Sequence, residues 1–205
     1  MINFIDKSEK EILSEALKYH SEGQLNEASE YYNFLLDKGF SHPRFFSNYG
    51  VLCKNIGQTD KAIKLFERSI ELYPELPGAY LNLANILKGN SKLEEAKLLI
   101  ETSLKLQPDS SIAYANLGAI LKDLKKLEEA EIAIRKAIKL NPELFIAHMN
   151  LGGILRDLGK LEEAEVSIRT AILIKPDLVI AHIHLSRLLM DQGKLEEAEV
   201  SIRTA

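Results

Sequence analysis

The sequence predicts an all-α solenoid made of helix-turn-helix repeats of 34 residues. An alanine recurs at this interval through most of the chain, at Ala28, Ala62, Ala96, Ala130, Ala164 and Ala198. A small residue precedes each of these alanines by twelve positions, at Ala16, Gly50, Ala84, Gly118, Gly152 and Ser186. Four repeats also have a proline near their end, at Pro74, Pro108, Pro142 and Pro176. Because several residue types recur in register, we expect a stack in which each repeat packs mainly on its neighbours.

Residues 77–110 illustrate why each repeat is expected to form two helices. Apolar residues in the first half follow the i, i+3, i+4, i+7 spacing of one helix face: Tyr80, Leu83, Ala84 and Leu87. A second apolar stripe runs from Leu93 to Leu104, after a short polar turn. Glycine supplies the backbone freedom that a helix end requires, and the equivalent turns of other repeats contain Gly23, Gly57, Gly159 or Gly193. Each helix is then about 14 residues long, or roughly 21 Å.

The recurring positions divide the chain into a short lead-in, residues 1–8, and a single array of repeats, residues 9–205. The repeats are expected at residues 9–42, 43–76, 77–110, 111–144, 145–178 and 179–205. A capping box is predicted to open the first helix, because Glu11 follows Ser8 by three residues. The last repeat is predicted to be truncated, because the thirteen residues that end the chain also occur one repeat earlier and continue there. We therefore expect a fragment of a longer protein, whose uncapped end associates with another molecule or frays.

The composition narrows the classes of function. A formal net charge of -4 argues against a nucleic-acid partner that is bound through net charge. Because Cys53 is the single cysteine, the chain cannot form an internal disulfide framework. No apolar run approaches the roughly 20 residues of a membrane-spanning helix, and the first residues lack the apolar stretch of a secretion signal. We expect a cytoplasmic protein that does not insert into membranes.

The residues that could carry chemistry are better explained by packing or by helix capping. His148 and His182 stand at the repeat position that holds Tyr80 in another repeat, and Cys53 stands where later repeats have leucine. Negative charge is favourable at the start of a helix, which accounts for acidic pairs such as Glu94 and Glu95. No metal-ligand spacing and no glycine-rich phosphate loop are present. We therefore predict no catalytic residue, no cofactor and no metal, and a protein that is not an enzyme.

Taken together, the recurring positions resemble the tetratricopeptide repeat (TPR) family. The 34-residue repeat of that family has a small residue at position 8, alanine at position 20 and proline at position 32, and the resemblance covers residues 9–205. It implies a right-handed α-solenoid of about six repeats, whose first helices line a concave groove. The chain departs from the family pattern at several positions: position 4 never holds tryptophan, the aromatic of position 24 is kept in Tyr32 and Phe66 but is isoleucine later, Glu15 stands at a usually apolar position, and Phe40 replaces the proline of the first repeat.

An asparagine recurs at position 6 of four successive repeats, at Asn48, Asn82, Asn116 and Asn150, and His184 follows in the last repeat. Asparagine is a mediocre helix former, so its recurrence points to a function, while duplication of one ancestral repeat is the rival explanation. The divergence of the neighbouring position 5 favours function. A side-chain amide offers both donors and an acceptor to a peptide group. This asparagine ladder is similar to that in the TPR arm of protein O-linked N-acetylglucosamine transferases, and the resemblance implies a groove that holds an extended peptide.

Charged rows beside the asparagines are candidates for the same groove. Position 12 holds Lys54, Lys88, Lys122 and Arg156, and position 13 of the later repeats holds Asp123, Asp157 and Asp191. Asn85 and Arg187, at position 9, are further candidates, and positions 6, 9 and 13 lie on one side of a helix. Ordinary solubility explains these charges equally well. TPR domains that clamp chaperone tails require lysine at position 5, which this chain lacks, so that ligand is disfavoured.

The sequence therefore predicts a non-catalytic interaction scaffold that binds an extended polypeptide segment in its concave groove. An alternative is the substrate-recruiting TPR arm of a larger enzyme, such as a glycosyltransferase. A third is a structural solenoid that assembles with itself through its truncated C-terminal end. The expected partner is in each case a protein or a peptide.

Overall fold

The computed structural model describes residues 7–203, and this part of the chain forms twelve α-helices and no strand. The prediction of an all-α protein is confirmed. The chain divides into two compact units, Met1–Asn90 and Ser91–Ala205. Residues 1–6 of the predicted lead-in and residues 204–205 of the last predicted repeat lie outside the described residues.

The first compact unit contains two helical hairpins and a fifth helix. Its helices are α1 (Glu9–Ser21), α2 (Leu25–Asp37), α3 (Pro43–Asn55), α4 (Thr59–Leu72) and α5 (Pro77–Gly89). The second compact unit begins with a single helix. Two helical hairpins follow, and the last two helices of the unit form a further pair. Its helices are α6 (Leu93–Leu106), α7 (Ser111–Asp123), α8 (Leu127–Leu140), α9 (Phe145–Asp157), α10 (Leu161–Ile174), α11 (Val179–Asp191) and α12 (Leu195–Arg203).

Local sequence signals set the starts of the helices. Each odd-numbered helix, called a first helix below, begins at the first residue of a 34-residue repeat. The capping box at Ser8 is confirmed: the Ser8 amide donates to Glu11 Oε2 at 2.8 Å, and the Glu11 amide donates to Ser8 Oγ at 3.3 Å. Proline opens α3 and α5, where its missing N–H is not needed for a helical hydrogen bond.

The turn between the two helices of every repeat contains a residue in the left-handed conformation at position 15. Four repeats have the predicted glycine there, with φ between 76° and 78° at Gly23, Gly57, Gly159 and Gly193. Ser91 and Lys125 adopt the same conformation with φ of 61° and 64°. Because a side chain disfavours this conformation by about 1–2 kcal/mol, these two turns are strained in a way that the sequence pattern did not reveal.

The small residue at position 8 allows the two helices of a hairpin to approach closely. A Cβ atom at Gly50 would lie 2.6 Å from the Phe66 ring, and one at Gly152 would lie 2.5 Å from Ile168 Cγ1. The same addition at Gly152 would come within 3.2 Å of the Ala164 carbonyl oxygen. The backbones are therefore close at positions 8 and 20, as the sequence predicts.

The first helices form the inner side of the second compact unit. Within its described residues, α7 contacts α9 and α9 contacts α11, whereas the backbones of α8, α10 and α12 do not approach one another as closely. A stack that is more closely spaced on one side curves toward that side. The faces of α7, α9 and α11 that point away from the second helices therefore define a surface that we call the inner face.

Candidate functional site

Asn116 and Asn150 occupy equivalent places on α7 and α9 of the second compact unit. Both side chains are half-buried. Within the described residues neither amide has a hydrogen-bond partner. A partly buried amide without a partner loses solvent contacts that a ligand can replace. These two residues are thus able to bind a peptide group.

The asparagines of the first compact unit are less uniform. The Asn48 amide nitrogen donates to the Arg44 carbonyl oxygen of its own helix at 2.7 Å. Asn48 also lines a shallow cavity of about 410 Å³ between the starts of α3 and α5. Asn82 and Asn85 are half-buried on α5, and neither has a side-chain hydrogen bond to the described residues. The asparagine row is therefore not engaged in the same way in every repeat.

His184 stands at the asparagine position of α11, and its half-buried ring faces positive charges. Burial lowers the pKa of His184, and the charges of Arg156, Lys122 and Arg187 lower it further. Burial and the neighbouring cations therefore both favour the neutral ring. His182, two residues earlier, uses Nε2 in a contact of 3.1 Å with the Pro176 carbonyl oxygen, so the two histidines serve different sides of α11, as their spacing predicts.

Lys122 reaches from α7 across to α9. Its Nζ lies 3.4 Å from Asp157 Oδ2, and Arg156 Nη2 lies 3.5 Å from Asp157 Oδ1. A Cβ atom added at Gly153 would lie 2.8 Å from Lys122 Nζ. Because Gly153 has no side chain, it leaves the space in which the lysine ammonium lies.

Gly153 was not among the residues predicted from the sequence. It occupies position 9, where Asn85 and Arg187 stand in other repeats. The change from a polar residue to glycine at this position could have indicated that another group occupies the space of the missing side chain. Only the structure shows that this group is a lysine from the preceding repeat.

The other predicted residues are distributed between the two compact units. Lys54 and Asp123 are exposed at the ends of α3 and α7, and Lys88 is half-buried near the end of α5. Asp157 is exposed but paired, as described above. The assignment of all these residues to one binding groove stays a prediction.

The packing explanation is confirmed for Cys53, whereas the rings of His148 and His182 are half-buried and contact the loops between repeats. His148 Nε2 lies 2.8 Å from the Pro142 carbonyl oxygen, and Tyr80 donates its hydroxyl to the Pro74 carbonyl oxygen at 3.0 Å. In these repeats the side chain at position 4 thus contacts a carbonyl oxygen of the preceding loop, a role that the sequence did not indicate. Cys53 is fully buried, and burial raises the pKa of its thiol, so it is a poor nucleophile.

Within residues 7–203, no group of three or more His, Cys, Asp or Glu side chains is arranged to hold a metal ion. Among the helices of this range, none has the length and apolar character needed to cross a bilayer.

Comparisons with known proteins identify the repeat. Three tetratricopeptide repeat models match residues 57–121, 111–144 and 146–178. Comparison with curated proteins found no match.

Solved structures with the same fold include a tetratricopeptide repeat protein from Parabacteroides merdae, which is 19% identical with a TM-score of 0.77 over 95% of this chain and 77% of that chain. A thermophilic TPR protein from Thermus thermophilus is 16% identical with a TM-score of 0.73 over 89% of this chain and 100% of that chain. YrrB, described as a TPR protein with an unusual peptide-binding site, is 18% identical with a TM-score of 0.62 over 84% of this chain and 89% of that chain. The chain therefore belongs to the tetratricopeptide repeat family, whose stacked helical hairpins form protein–protein interaction scaffolds.

Proposed function

We propose that this protein is a non-catalytic module that binds an extended polypeptide along the inner face of its second compact unit. The observation that carries the proposal is the pair of half-buried amides of Asn116 and Asn150, which lack partners within the described residues. They come from neighbouring first helices and stand at the same repeat position. Each is able to accept a backbone N–H and to donate to a backbone carbonyl of a bound chain.

The spacing of the helices fits an extended ligand. Packed helices lie about 8–10 Å apart, and an extended chain advances about 3.3 Å per residue. One asparagine therefore meets every third residue of the bound chain. Because the amides contact the backbone, this part of the interaction depends little on the ligand's side chains.

The likeness to YrrB supports the proposal at the level of the fold. Its description as a protein with a peptide-binding site shows that this fold can hold a peptide. At 18% identity the likeness does not extend to individual contacts, so the asparagines have to be tested directly.

The test is peptide capture from a random dodecapeptide library displayed on phage. Wild-type protein is compared with an Asn116→Ala/Asn150→Ala double variant. We expect the double variant to bind the peptides selected by the wild type about tenfold more weakly in fluorescence anisotropy, because each lost hydrogen bond contributes about 0.5–1.5 kcal/mol.

A matched control replaces two polar residues of the second helices, Thr102→Ala/Thr170→Ala. Their hydroxyls donate to carbonyl oxygens of their own helices at 2.9 and 2.8 Å, away from the inner face. This control is expected to bind like the wild type. Equal binding by the asparagine variant, with an unchanged thermal unfolding midpoint, would contradict the proposal.

A further inference from the structure

Positive charges from three successive first helices meet on the inner face of the second compact unit. Lys122 of α7 and Arg156 of α9 lie 3.4 and 3.5 Å from the carboxylate of Asp157. Arg187 of α11 stands three residues after His184, so the two share one side of that helix. The charges of all three cations lower the pKa of His184. We call Lys122, Arg156 and Arg187 the basic cluster. Its members lie at positions 12 and 9 of their repeats.

The basic cluster adjoins the stripe of α9 that carries Asn150. Asn150, Gly153 and Asp157 are separated by steps of three and four residues, so they share one side of the helix. The Lys122 ammonium lies over Gly153, in the middle of this stripe. A peptide that is held by Asn150 therefore passes within reach of that ammonium group.

The charges of the cluster are not balanced within the described residues. Asp157 pairs with both Lys122 and Arg156, while Arg187 is exposed and has no ion-pair partner there. Lys122 and Arg156 are also partly buried, with side-chain exposures of 30% and 27%. Asp191, four residues after Arg187 on α11, is exposed and forms no ion pair with the described residues. Asp157 is the carboxylate that pairs with the cluster, so the three cations retain an excess of positive charge in a chain whose formal net charge is -4. Such a local excess attracts an anionic group, and partial burial strengthens the attraction.

We propose that the polypeptide bound on the inner face carries an acidic side chain, Asp or Glu, which binds at the basic cluster of Lys122, Arg156 and Arg187. This inference rests on the proposed function, since the asparagines hold the backbone of the same ligand. The side chain of Arg187 supplies the free cation, and Lys122 and Arg156 share their charge between Asp157 and the ligand. The cluster selects among the extended peptides that the asparagines accept without regard to side chains.

The test uses the same phage-displayed dodecapeptide library. Peptides captured by the wild type are sequenced beside those captured by a Lys122→Gln/Arg156→Gln/Arg187→Gln variant. We expect Asp and Glu to be enriched about twofold in the wild-type pool relative to the unselected library and not enriched in the variant pool. Replacing the acidic residues of a captured peptide by their amides should weaken its binding to the wild type about tenfold, as expected for loss of a hydrogen bond to a charged group.

The matched control removes three positive charges elsewhere in the same unit, with Lys126→Gln/Lys136→Gln/Lys139→Gln. These lysines are exposed in the turn before α8 and on α8 itself, so the control has the same net charge as the cluster variant. It should retain the acidic enrichment. Thermal unfolding checks that all variants are folded.

The outcomes separate this inference from the proposed function. If capture depends on Asn116 and Asn150 but acidic residues are equally frequent in the wild-type and cluster-variant pools, the inference is wrong and the proposed function stands. If the wild type captures no peptide, both are wrong. If a twelve-residue oligothymidylate competes with the captured peptides more strongly than a twelve-residue glutamate peptide does, the cluster binds nucleic acid and the inference is overturned.

Discussion

The two compact units share the repeat geometry but fill their cores differently. The largest fully buried side chains of the first unit include Tyr32, Phe45, Tyr49 and Phe66. Tyr32 and Tyr49 stack with their ring centroids 5.0 Å apart. In the second unit the corresponding side chains are aliphatic: Ile100, Ile120, Ile134, Ile154 and Leu155. The fold of the repeat therefore does not depend on one kind of core residue.

Close packing at position 8 explains why both cores work. Gly50 faces the Phe66 ring in the first unit, and Gly152 faces Ile168 in the second, and both glycines leave too little room for a Cβ atom. The small residue keeps the two helices of a hairpin close in each case. The repeat thus preserves the distance between helices, while the residue at position 24 is free to be aromatic or aliphatic.

The contacts between successive second helices differ in charge. In the first unit Lys61 donates to Asn33 Oδ1 at 2.9 Å. The same two repeat positions form ion pairs in the second unit, between Arg135 and Glu163 and between Arg169 and Glu197, each at 3.0 Å. The second unit thus joins successive hairpins by ion pairs at these positions, whereas the first unit uses a hydrogen bond to a neutral amide oxygen.

Among the predicted changes, the largest loss of stability is expected on substitution of Phe45 in the aromatic core. Its ring is fully buried and contacts Tyr32, Phe46 and Tyr49. Phe45→Ala should lower the free energy of unfolding by about 3–5 kcal/mol. Amide hydrogen exchange should show the loss of protection mainly in α1–α4, and an equal loss in α7–α10 would contradict the separation of the two cores. Ile154→Val, which removes one methylene group from the aliphatic core, should cost only about 0.5–1.5 kcal/mol.

Neighbouring glycines of α9 offer a second comparison. A Cβ atom at Gly152 meets the inner carbon of the buried Ile168 side chain, whereas one at Gly153 meets the flexible end of Lys122. Gly152→Ala should destabilise, because overpacking costs about 1–3 kcal/mol, less about 1 kcal/mol from the better helix propensity of alanine. Gly153→Ala should instead raise the free energy of unfolding by up to about 1 kcal/mol. Urea titrations of both variants check the opposite signs, and equal signs would refute the assignment of the two faces.

The strained turn at Lys125 predicts a stabilising change. Because Lys125 has φ of 64°, Lys125→Gly should raise the free energy of unfolding by about 1 kcal/mol. The control, Lys136→Gly, places glycine inside α8 and should lower it by about 1 kcal/mol. A destabilised Lys125→Gly protein in urea titration would show that the turn is not strained.

The smallest expected effect concerns the ion pairs of the second unit. Hydrogen bonds from Lys194 and Arg169 hold the pKa of Glu165 below its ordinary value, against the opposing effect of burial. A lowered folded-state pKa contributes stability above the unfolded value of about 4.3, and that stability is lost as the pH falls through the folded-state pKa. Glu165→Gln should therefore cost about 0.5–1 kcal/mol at pH 7 and reduce the loss of stability below pH 4.3.

The control for this prediction is Glu143→Gln, which removes one carboxylate from the exposed loop before α9, outside these ion pairs. Thermal unfolding between pH 3 and pH 7 provides the measurement. A Glu165→Gln profile that matches the wild type would contradict a stabilising role of the pairs.

Much of the fold was predictable because the signals are local. The recurring alanines, the position 8 residues and the prolines placed the starts of the first helices at residues 9, 43, 77, 111, 145 and 179. The left-handed turn was foreseen at Gly159 but not at Lys125, because no local preference of lysine indicates it. The tertiary packing of the two flanking helices imposes that conformation.

The candidate site was only partly predictable. Periodicity was sufficient to predict Asn116, Asn150 and Lys122 as candidate site residues, because each recurs as the same or a similar residue type at one repeat position. The approach of Lys122 to Gly153 was not predicted. This contact joins α7 to α9, and it depends on how far a long side chain extends from one repeat to the next.

The sequence by itself determined the repeat, its two helices and their apolar faces, because periodicity and helix-end preferences act over a few residues. Only the tertiary structure decided which polar residues meet. Asp157 pairs with a lysine 35 residues earlier, and Lys122 lies against Gly153 of the next first helix. Contacts of this kind depend on how closely successive hairpins stack and on where a glycine leaves space, and neither is expressed in the period of the sequence.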